Sequence, residues 1–451
     1  MLDIEALRTR VTGPVLTPDD EGFAEEVAPW MQNFTHRPRV AVGAASPSDV
    51  AEAVKFAVAN GLAVRIQSTG HGSQELIADG VLILTRRMDA ISIDPTTRVA
   101  TIGAGVKWGA VVAKAAQLGL APIVGSSPTV GAIGFLLGGG LGPLARSHGF
   151  ASDYVRDFEV VTADGQLISA NRGTNPDLFW ALRGGKGGFG VVTSVRVELV
   201  ELPTLYGGSL TYDAPDIATA FRAWIDYTAT ADPSVSTSAA ILRMPDLPFI
   251  PEPIRGRTLL TIRFAYPGDA ATGERLASPL RAAAPVYLDD LDEMPAGEIA
   301  RIHNDPTEPV TGWTLGRMLA SADSGLATVL LDHVGNGEPA PFVAVELRHL
   351  GEATREDVAE GSAVGGRSAQ FTLNLVGVPN PALFDTVLPR ASEAIITALT
   401  PWLAPETTVN FVERFATQEK FEASWPPATF ARLAAVRAKY DPDGVFPYGP
   451  R

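Results

Sequence analysis

At 451 residues the chain exceeds one ordinary hydrophobic core, and its 46% hydrophobic and 19% charged residues describe a well-packed globular protein of two to three domains. Its 51 Asp and Glu outweigh 36 Lys and Arg to give a net charge of −15, which repels phosphate backbones and anionic lipid heads and argues against nucleic-acid and membrane partners. The absence of cysteine excludes disulfides, thiolate nucleophiles, iron–sulfur clusters and cysteine zinc sites together, and no metal site is expected.

In chain order, the first ten residues carry Asp3 and Glu5 where a signal peptide needs a basic start and an apolar run. From Arg39 to about Leu202, short apolar strands over 40–42, 63–66, 81–84 and 99–103 alternate with helices over 47–60 and 108–118, an α/β or α+β pattern. The most apolar stretch, 130–145, is glycine-rich, contains Pro143 and falls short of the roughly 20 residues of a spanning helix. A cytoplasmic protein is expected. Between about Pro203 and Thr400, isolated strands over 258–266, 342–350 and 370–376 are separated by Pro-rich and acidic connectors, which predicts a second domain with a largely antiparallel sheet. A final helical pattern through Phe430, Leu433, Val436 and Tyr440 stops at Asp441-Pro442-Asp443-Gly444.

Two glycine-rich stretches are decoys. Val99-Ala-Thr-Ile-Gly103-Ala-Gly105-Val-Lys-Trp108 runs from strand to helix as a dinucleotide turn would. Trp108 stands where the third glycine belongs, and no acidic residue follows about 20 positions on. Arg183-Gly-Gly-Lys186-Gly-Gly-Phe189-Gly190 lacks the Gly-Lys-Ser/Thr ending of a nucleotide phosphate loop. More informative is Arg65-Ile-Gln67-Ser68-Thr69-Gly70-His71-Gly72, a strand end and small-residue turn with a histidine between two glycines. Its N–H groups can form an anion nest. Taken alone, His71 reads more readily as a structural loop imidazole hydrogen-bonded to backbone.

Three further segments follow in order: Gly125-Ser126-Ser127-Pro-Thr129-Val130-Gly131-Ala-Ile-Gly134-Phe-Leu-Leu-Gly138-Gly139-Gly140-Leu141-Gly142; Gly149-Phe-Ala-Ser-Asp153; and Asp177-Leu-Phe-Trp180-Ala-Leu-Arg183 through Phe189-Gly190-Val-Val192. Together with the histidine turn they resemble the FAD-binding PCMH-type domain of the vanillyl-alcohol oxidase/p-cresol methylhydroxylase superfamily. The similarity is greatest to its berberine-bridge-enzyme-like and 6-hydroxy-D-nicotine-oxidase-like branch. Val409-Asn410-Phe411 and the 432–446 segment resemble the C-terminal part of that branch.

The resemblance implies an α+β fold: a two-subdomain FAD-binding domain over 1–204 with its core at about 35–203, a substrate domain over 205–404 whose antiparallel sheet is covered by helices, and a segment over 405–451 returning to the first domain. It implies FAD with its pyrophosphate on Gln67, Ser68, Thr69, Gly70, His71 and Gly72, and a covalent bond from His71 to the flavin 8α-methyl carbon. Ser127 occupies the position where some relatives have a cysteine that makes a second bond, so His71 is the sole attachment point. Gly125, Ser126, Ser127, Thr129, Val130 and Gly131 are expected along the isoalloxazine edge, with Gly134 in the same segment. Gly138, Gly139, Gly140, Leu141, Gly142, Phe189, Gly190 and Val192 are expected around ribose and adenine, and Asn410, on a C-terminal strand, at the pyrimidine end. Lys186 replaces an asparagine common in relatives, near the expected adenine, and Phe411 supplies no active-site phenol.

The substrate side is less legible. Alternation puts Glu346 and Arg348 on one face of the 342–350 strand and Val345, Leu347 and His349 on the other. Glu346 is then a base and Arg348 an anion clamp, or the two form an ion pair. Gln370, Thr372 and Asn374 share a face that is either substrate-facing or solvated, and Tyr266 is a further acid/base candidate. The expected activity is oxidation of a small alcohol, saccharide, amine or secondary-metabolite intermediate, with O2 reduced to H2O2. Val130 matches a position where a small residue admits oxygen in relatives. A dehydrogenase, a cyclising or monooxygenating enzyme and a flavin-binding protein without turnover are the alternatives.

Overall fold

Val40–Gly43 and Val81–Leu84 are buried along their whole length, as apolar runs without alternation require, and they pair in parallel at the centre of a small sheet. A computed structural model describes residues 2–73, 75–248, 250–335, 340–411 and 417–447. In the small sheet the strand order is Val15–Leu16, Val40–Gly43, Val81–Leu84, Val64–Gln67, with only the first strand antiparallel. A second, antiparallel sheet runs Ile91–Asp94, Val99–Gly103, Val191–Glu198, Val155–Val161, Leu167–Asn171.

The helix Pro47–Ala59 joins the two sheets. Ser46 caps it by accepting from Asp49 N–H, and Pro47 stands at its first position, where no N–H is needed. Its residues Val50, Ala53, Val54 and Ala57, spaced three and four apart, bury one stripe against strands of both sheets.

The third sheet is antiparallel throughout. Its order is Leu288–Asp289, Thr204–Asp213, Thr258–Tyr266, Ser236–Arg243, Phe342–His349, Phe371–Gly377, Thr314–Leu319, and Asp292–Pro295 also pairs with Thr204–Asp213. One face carries Leu260, Ile262, Phe264, Val345, Leu347, Leu373 and Leu375 under the helices Ile217–Thr228, Ala270–Arg281, Ser324–Leu330 and Val387–Ala398. The register places Ser238, Arg263, Glu346, Arg348 and Thr372 on the other face, toward the glycine-rich loops.

The fold is mixed α+β, as expected, and the strands over 81–84, 99–103 and 258–266 lie where the sequence pattern puts them. The expected boundary at 204/205 falls on the first residues of the strand Thr204–Asp213. The helix Pro427–Tyr440 packs Leu433 and Val436 into the core of the first two sheets, and Val64 N–H donates to the carbonyl of Val445 beside the edge strand. No helix among the described residues is long and apolar enough to cross a membrane.

Trp224 is fully buried between its helix and the third sheet, with Nε1–H donating to Thr237 Oγ1 at 3.0 Å. Trp224→Ala removes a large buried ring and its indole hydrogen bond, and should cost about 3–5 kcal/mol, read as a lowered denaturant midpoint.

Candidate functional site

The strand Val64–Gln67 ends in a turn that only glycine can close. Gly70 has φ +74°, and a Cβ there would sit 2.5 Å from Pro29 Cβ. Gln67 is buried and donates to the carbonyl of Val27 at 3.2 Å, and Ser68 Oγ–H donates to the carbonyl of Ala104 at 2.9 Å. These anchors hold the next residue, His71, with its ring stacked on Trp30 at 3.8 Å between centroids and 15° between planes. Its Nε2 lies 2.8 Å from Thr129 Oγ1. Burial, reinforced by Lys107, pushes the imidazole down to about 4 against the opposing effect of Thr129. At neutral pH the ring is therefore uncharged and keeps a nucleophilic lone pair. Among the described residues, the backbone N–H groups of Ser68, Thr69, Gly70, His71 and Gly72 find no acceptor.

The 125–131 loop is brought to this turn by pairing with the 106–108 segment. Trp108 N–H donates to the carbonyl of Val130 and Ala132 N–H to that of Val106. Ser127 Oγ lies 3.1 Å from Thr129 Oγ1, and a Cβ on Gly131 would come within 3.0 Å of Ser68 Oγ. Ser126 Oγ–H donates to Asp305 Oδ2 at 2.5 Å, which ties the loop to the third-sheet domain.

The glycines divide by cause. The fold itself demands some of them. A Cβ on Gly142 would lie 1.6 Å from the Val124 carbonyl oxygen, and one on Gly125 2.9 Å from the Phe135 ring. Gly139 (φ +94°), Gly140 (φ +82°) and Gly190 (φ +141°) take backbone conformations that side chains resist. Gly72, Gly134 and Gly187 have ordinary φ and open space where a Cβ would go. Neither packing nor backbone geometry calls for glycine at these three. Phe189, Val192 and Leu141 instead bury their side chains in hydrophobic clusters.

Asn410 lies in the 3-10 turn Val409–Phe411 and not on a strand, which corrects that expectation. Its Nδ2 donates to the carbonyl of Phe135 at 3.1 Å, its Oδ1 accepts from Lys186 Nζ at 2.7 Å, and a Cβ on Gly138 would lie 2.0 Å from that oxygen. Lys186 has φ +70°, a conformation that asparagine tolerates better than lysine, and burial pushes its ammonium down to about 8. Lys186 therefore accompanies Asn410 rather than standing apart from it.

Across from these loops, Glu346 and Arg348 share the inward face of the sheet, with Arg348 Nε 2.8 Å from Glu346 Oε2. Glu346 Oε1 also accepts from Arg263 Nη1 at 2.7 Å and from Ser238 Oγ at 2.9 Å. Burial alone would raise this carboxyl, but Arg348, then Arg263 and His303, outweigh it and hold the group well below the usual carboxylate range. Its oxygens are committed and its proton affinity is low, so the geometry favours the ion-pair reading of Glu346 over the base. Asn374 stands opposite Glu346 in register on the same face, next to Gly316, where Phe411 packs too closely for any side chain. Tyr266 packs on the helix-covered face, away from this cluster.

One residue that no sequence motif marks completes the cluster. His303 follows the turn Ala296–Ile302 and is buried, with Nε2 3.6 Å from Glu346 Oε1. It lines a cavity with Arg263, Arg348, Ser238, Leu141 and Gly142, between the sheet and the glycine-rich loop.

Residues 38–171 match the FAD binding domain family. The chain is 29% identical to (R)-6-hydroxynicotine oxidase of Paenarthrobacter nicotinovorans, over 97% of this chain and 95% of that protein. It is 27% identical to the FAD-linked oxidoreductase YvdP of Bacillus subtilis strain 168, over 97% of each. Among solved structures it is similar to 6-hydroxy-D-nicotine oxidase from Arthrobacter nicotinovorans, with TM-score 0.82 and 26% identity over 97% of this chain and 96% of that one. The fold is shared as well with glucooligosaccharide oxidase from Acremonium strictum, with TM-score 0.80 and 21% identity over 98% and 97%; that protein is described with a 6-S-cysteinyl, 8α-N1-histidyl FAD.

The two classes of glycine should respond differently to alanine. Gly142→Ala should lower the melting temperature sharply or prevent folding, whereas Gly72→Ala should melt within about 2 °C of the parent when flavin is absent yet carry less flavin, read as the 450 to 280 nm absorbance ratio. Acid should destabilise the fold through His71. Its folded pKa of about 4 lies below the unfolded 6.5, so the unfolded chain binds the extra proton between them. That contribution is intact above about pH 6.5 and declines as pH falls toward 4, which denaturant midpoints across this window should show, with a shallower slope in His71→Asn.

Proposed function

Because the chain is similar over nearly its whole length to FAD-linked oxidoreductases, we propose that it is an oxidase that takes two electrons from a small organic substrate and passes them to O2 as H2O2. The observation that carries this reading is the neutral His71 ring at the end of an open run of N–H groups, next to a 125–131 loop that reaches the third-sheet domain.

The N–H groups from Ser68 to Gly72 would hold the pyrophosphate, since anions bind where successive backbone donors converge. His71 would bond the flavin 8α-methyl carbon, and burial supports this by keeping the imidazole deprotonated. Ser127 leaves no thiol for a second bond. Ser126 to Gly131 would line the flavin edge, and the pair Asn410 and Lys186 would meet it from the C-terminal segment. When bound, FAD supplies the two-electron acceptor for substrate oxidation, and O2 then takes the electrons.

The substrate would bind on the inward face of the sheet, where Arg263 and Arg348 line a cavity and could donate to an oxygen or nitrogen of an alcohol, saccharide or amine. Glu346 balances those charges in the ground state. Similarity along nearly the whole length of a nicotine-oxidising relative makes amines the first class to test.

Acid precipitation of the yellow protein should leave flavin with the pellet, and His71→Ala should release it to the supernatant. Flavin in the supernatant of the parent protein would remove the covalent bond and leave FAD binding intact. On a substrate that bleaches the flavin without air, readmitted O2 should restore the colour with one H2O2 per turnover, measured with a peroxide electrode. Persistent bleaching in air would make the protein a dehydrogenase.

A further inference from the structure

The cavity opposite the glycine-rich loops holds polar atoms that the fold leaves without partners. Among the described residues, both ring nitrogens of His303 and Nε of Arg263 are buried and make no hydrogen bond. Each unmet buried donor or acceptor costs about 1–3 kcal/mol, so three in one cavity point to a molecule that satisfies them. We propose that His303 is the base that takes the O–H or N–H proton of the substrate, and that Glu346 is the positioning residue that orients it. This rests on the oxidase reading and adds the residue that reading leaves unassigned.

The groups around His303 decide how it can act. Arg263 comes from the strand Thr258–Tyr266, Glu346 and Arg348 from Phe342–His349, and Asp305 from the segment following His303 itself. Burial, then Arg348 and Arg263, hold the imidazole well below its ordinary value against the pull of Glu346. The ring is therefore neutral through the working pH range and keeps one basic nitrogen. Nε2 lies 3.6 Å from Glu346 Oε1, just beyond hydrogen-bond length; with the proton on Nε2 toward that carboxylate, the lone pair is on Nδ1. A proton arriving there makes an imidazolium that Glu346 stabilises but that burial and the two arginines disfavour, so the proton is passed on rather than kept. Glu346 cannot serve in its place, because both of its oxygens accept from arginine.

The step balances. The X–H bond of an H–C–X–H substrate, with X oxygen or nitrogen, breaks; its proton goes to His303 and its electron pair becomes the second bond of C=X. The C–H hydrogen leaves with its pair to the acceptor, and O2 finally takes two electrons and two protons, one of them from His303, to give H2O2.

Two measurements on the flavin-loaded full chain test this. In the first, histidine side chains are labelled with 15N, and His303 is identified by the signal lost in His303→Gln. A single neutral tautomer from pH 5 to 9 is expected, and a ring that titrates near 6.5 or stays doubly protonated overturns the proposal. In the second, flavin bleaching without air is followed with (R)-6-hydroxynicotine and with cellobiose, using dithionite to show that the flavin of each variant can be reduced. His303→Gln should slow bleaching at least about 100-fold at pH 7, with a rate that then rises with pH while the parent profile stays flat. In His303→Ala, added imidazole should restore bleaching saturably. A loss under threefold, or no rescue by imidazole, overturns the role. If neither compound bleaches the parent protein, the substrate reading fails, and the first measurement alone decides whether His303 has the state a base requires.

Discussion

The structure depends on a polar seam between two domains being closed without leaving charge uncompensated. The third sheet turns an apolar face to its helices and a polar one to the glycine-rich loops, and on the polar face Glu346 sits between Arg263 and Arg348. Removing one partner from such a buried group costs about 3–5 kcal/mol, because the other charge stays behind without water. The carboxylate therefore has a structural task that competes with proton transfer. It permits two arginines to face a cavity, where they can act on a ligand, without repelling one another out of the seam. Ser126 and Asp305, and Asn33 with its paired bonds to Gly312, close the same seam near His71.

The first domain was largely legible in the sequence because its strands and helices differ in period and its turns need glycine. The residues 81–84 and 99–103 are apolar strands bounded by turn formers, and Pro47 with Ser46 marks a helix start. Strands at 155–161, 191–198 and 236–243 escape the pattern although Asp164-Gly165, Gly190 and Asp232-Pro233 adjoin them. The last of these is buried over its first six residues, so its alternation is between small polar and apolar residues that a hydrophobicity pattern does not separate. His71 was legible because its neighbours are glycines at meaningful spacing. His303 was not, because it acquires its surroundings from strands 40 and more residues away in the chain.

Asn410 and Lys186 show a second limit. Similarity of local motif puts each residue in a segment but says nothing of which segments touch. The hydrogen bond between them joins positions 224 apart. A lysine at φ +70° is strained relative to an asparagine, so contacts elsewhere must hold it; its bond to Asn410 and its second one to the Gly134 carbonyl are such contacts.

Two histidines in this protein are neutral for the same physical reason and suited to different chemistry. Desolvation disfavours the imidazolium of both, and neighbouring cations add to it: Lys107 for His71, Arg348 and Arg263 for His303. At His71 the ring is fixed by Trp30 on its face and Thr129 at its edge, a restraint that suits the covalent attachment proposed for it. At His303 the nitrogens are unpaired and a carboxylate stands just beyond hydrogen-bond length, which suits a nitrogen required to gain a proton and give it back. Burial sets the charge state in each case. The partner set decides whether the lone pair is spent on a lasting bond or kept for a reversible one.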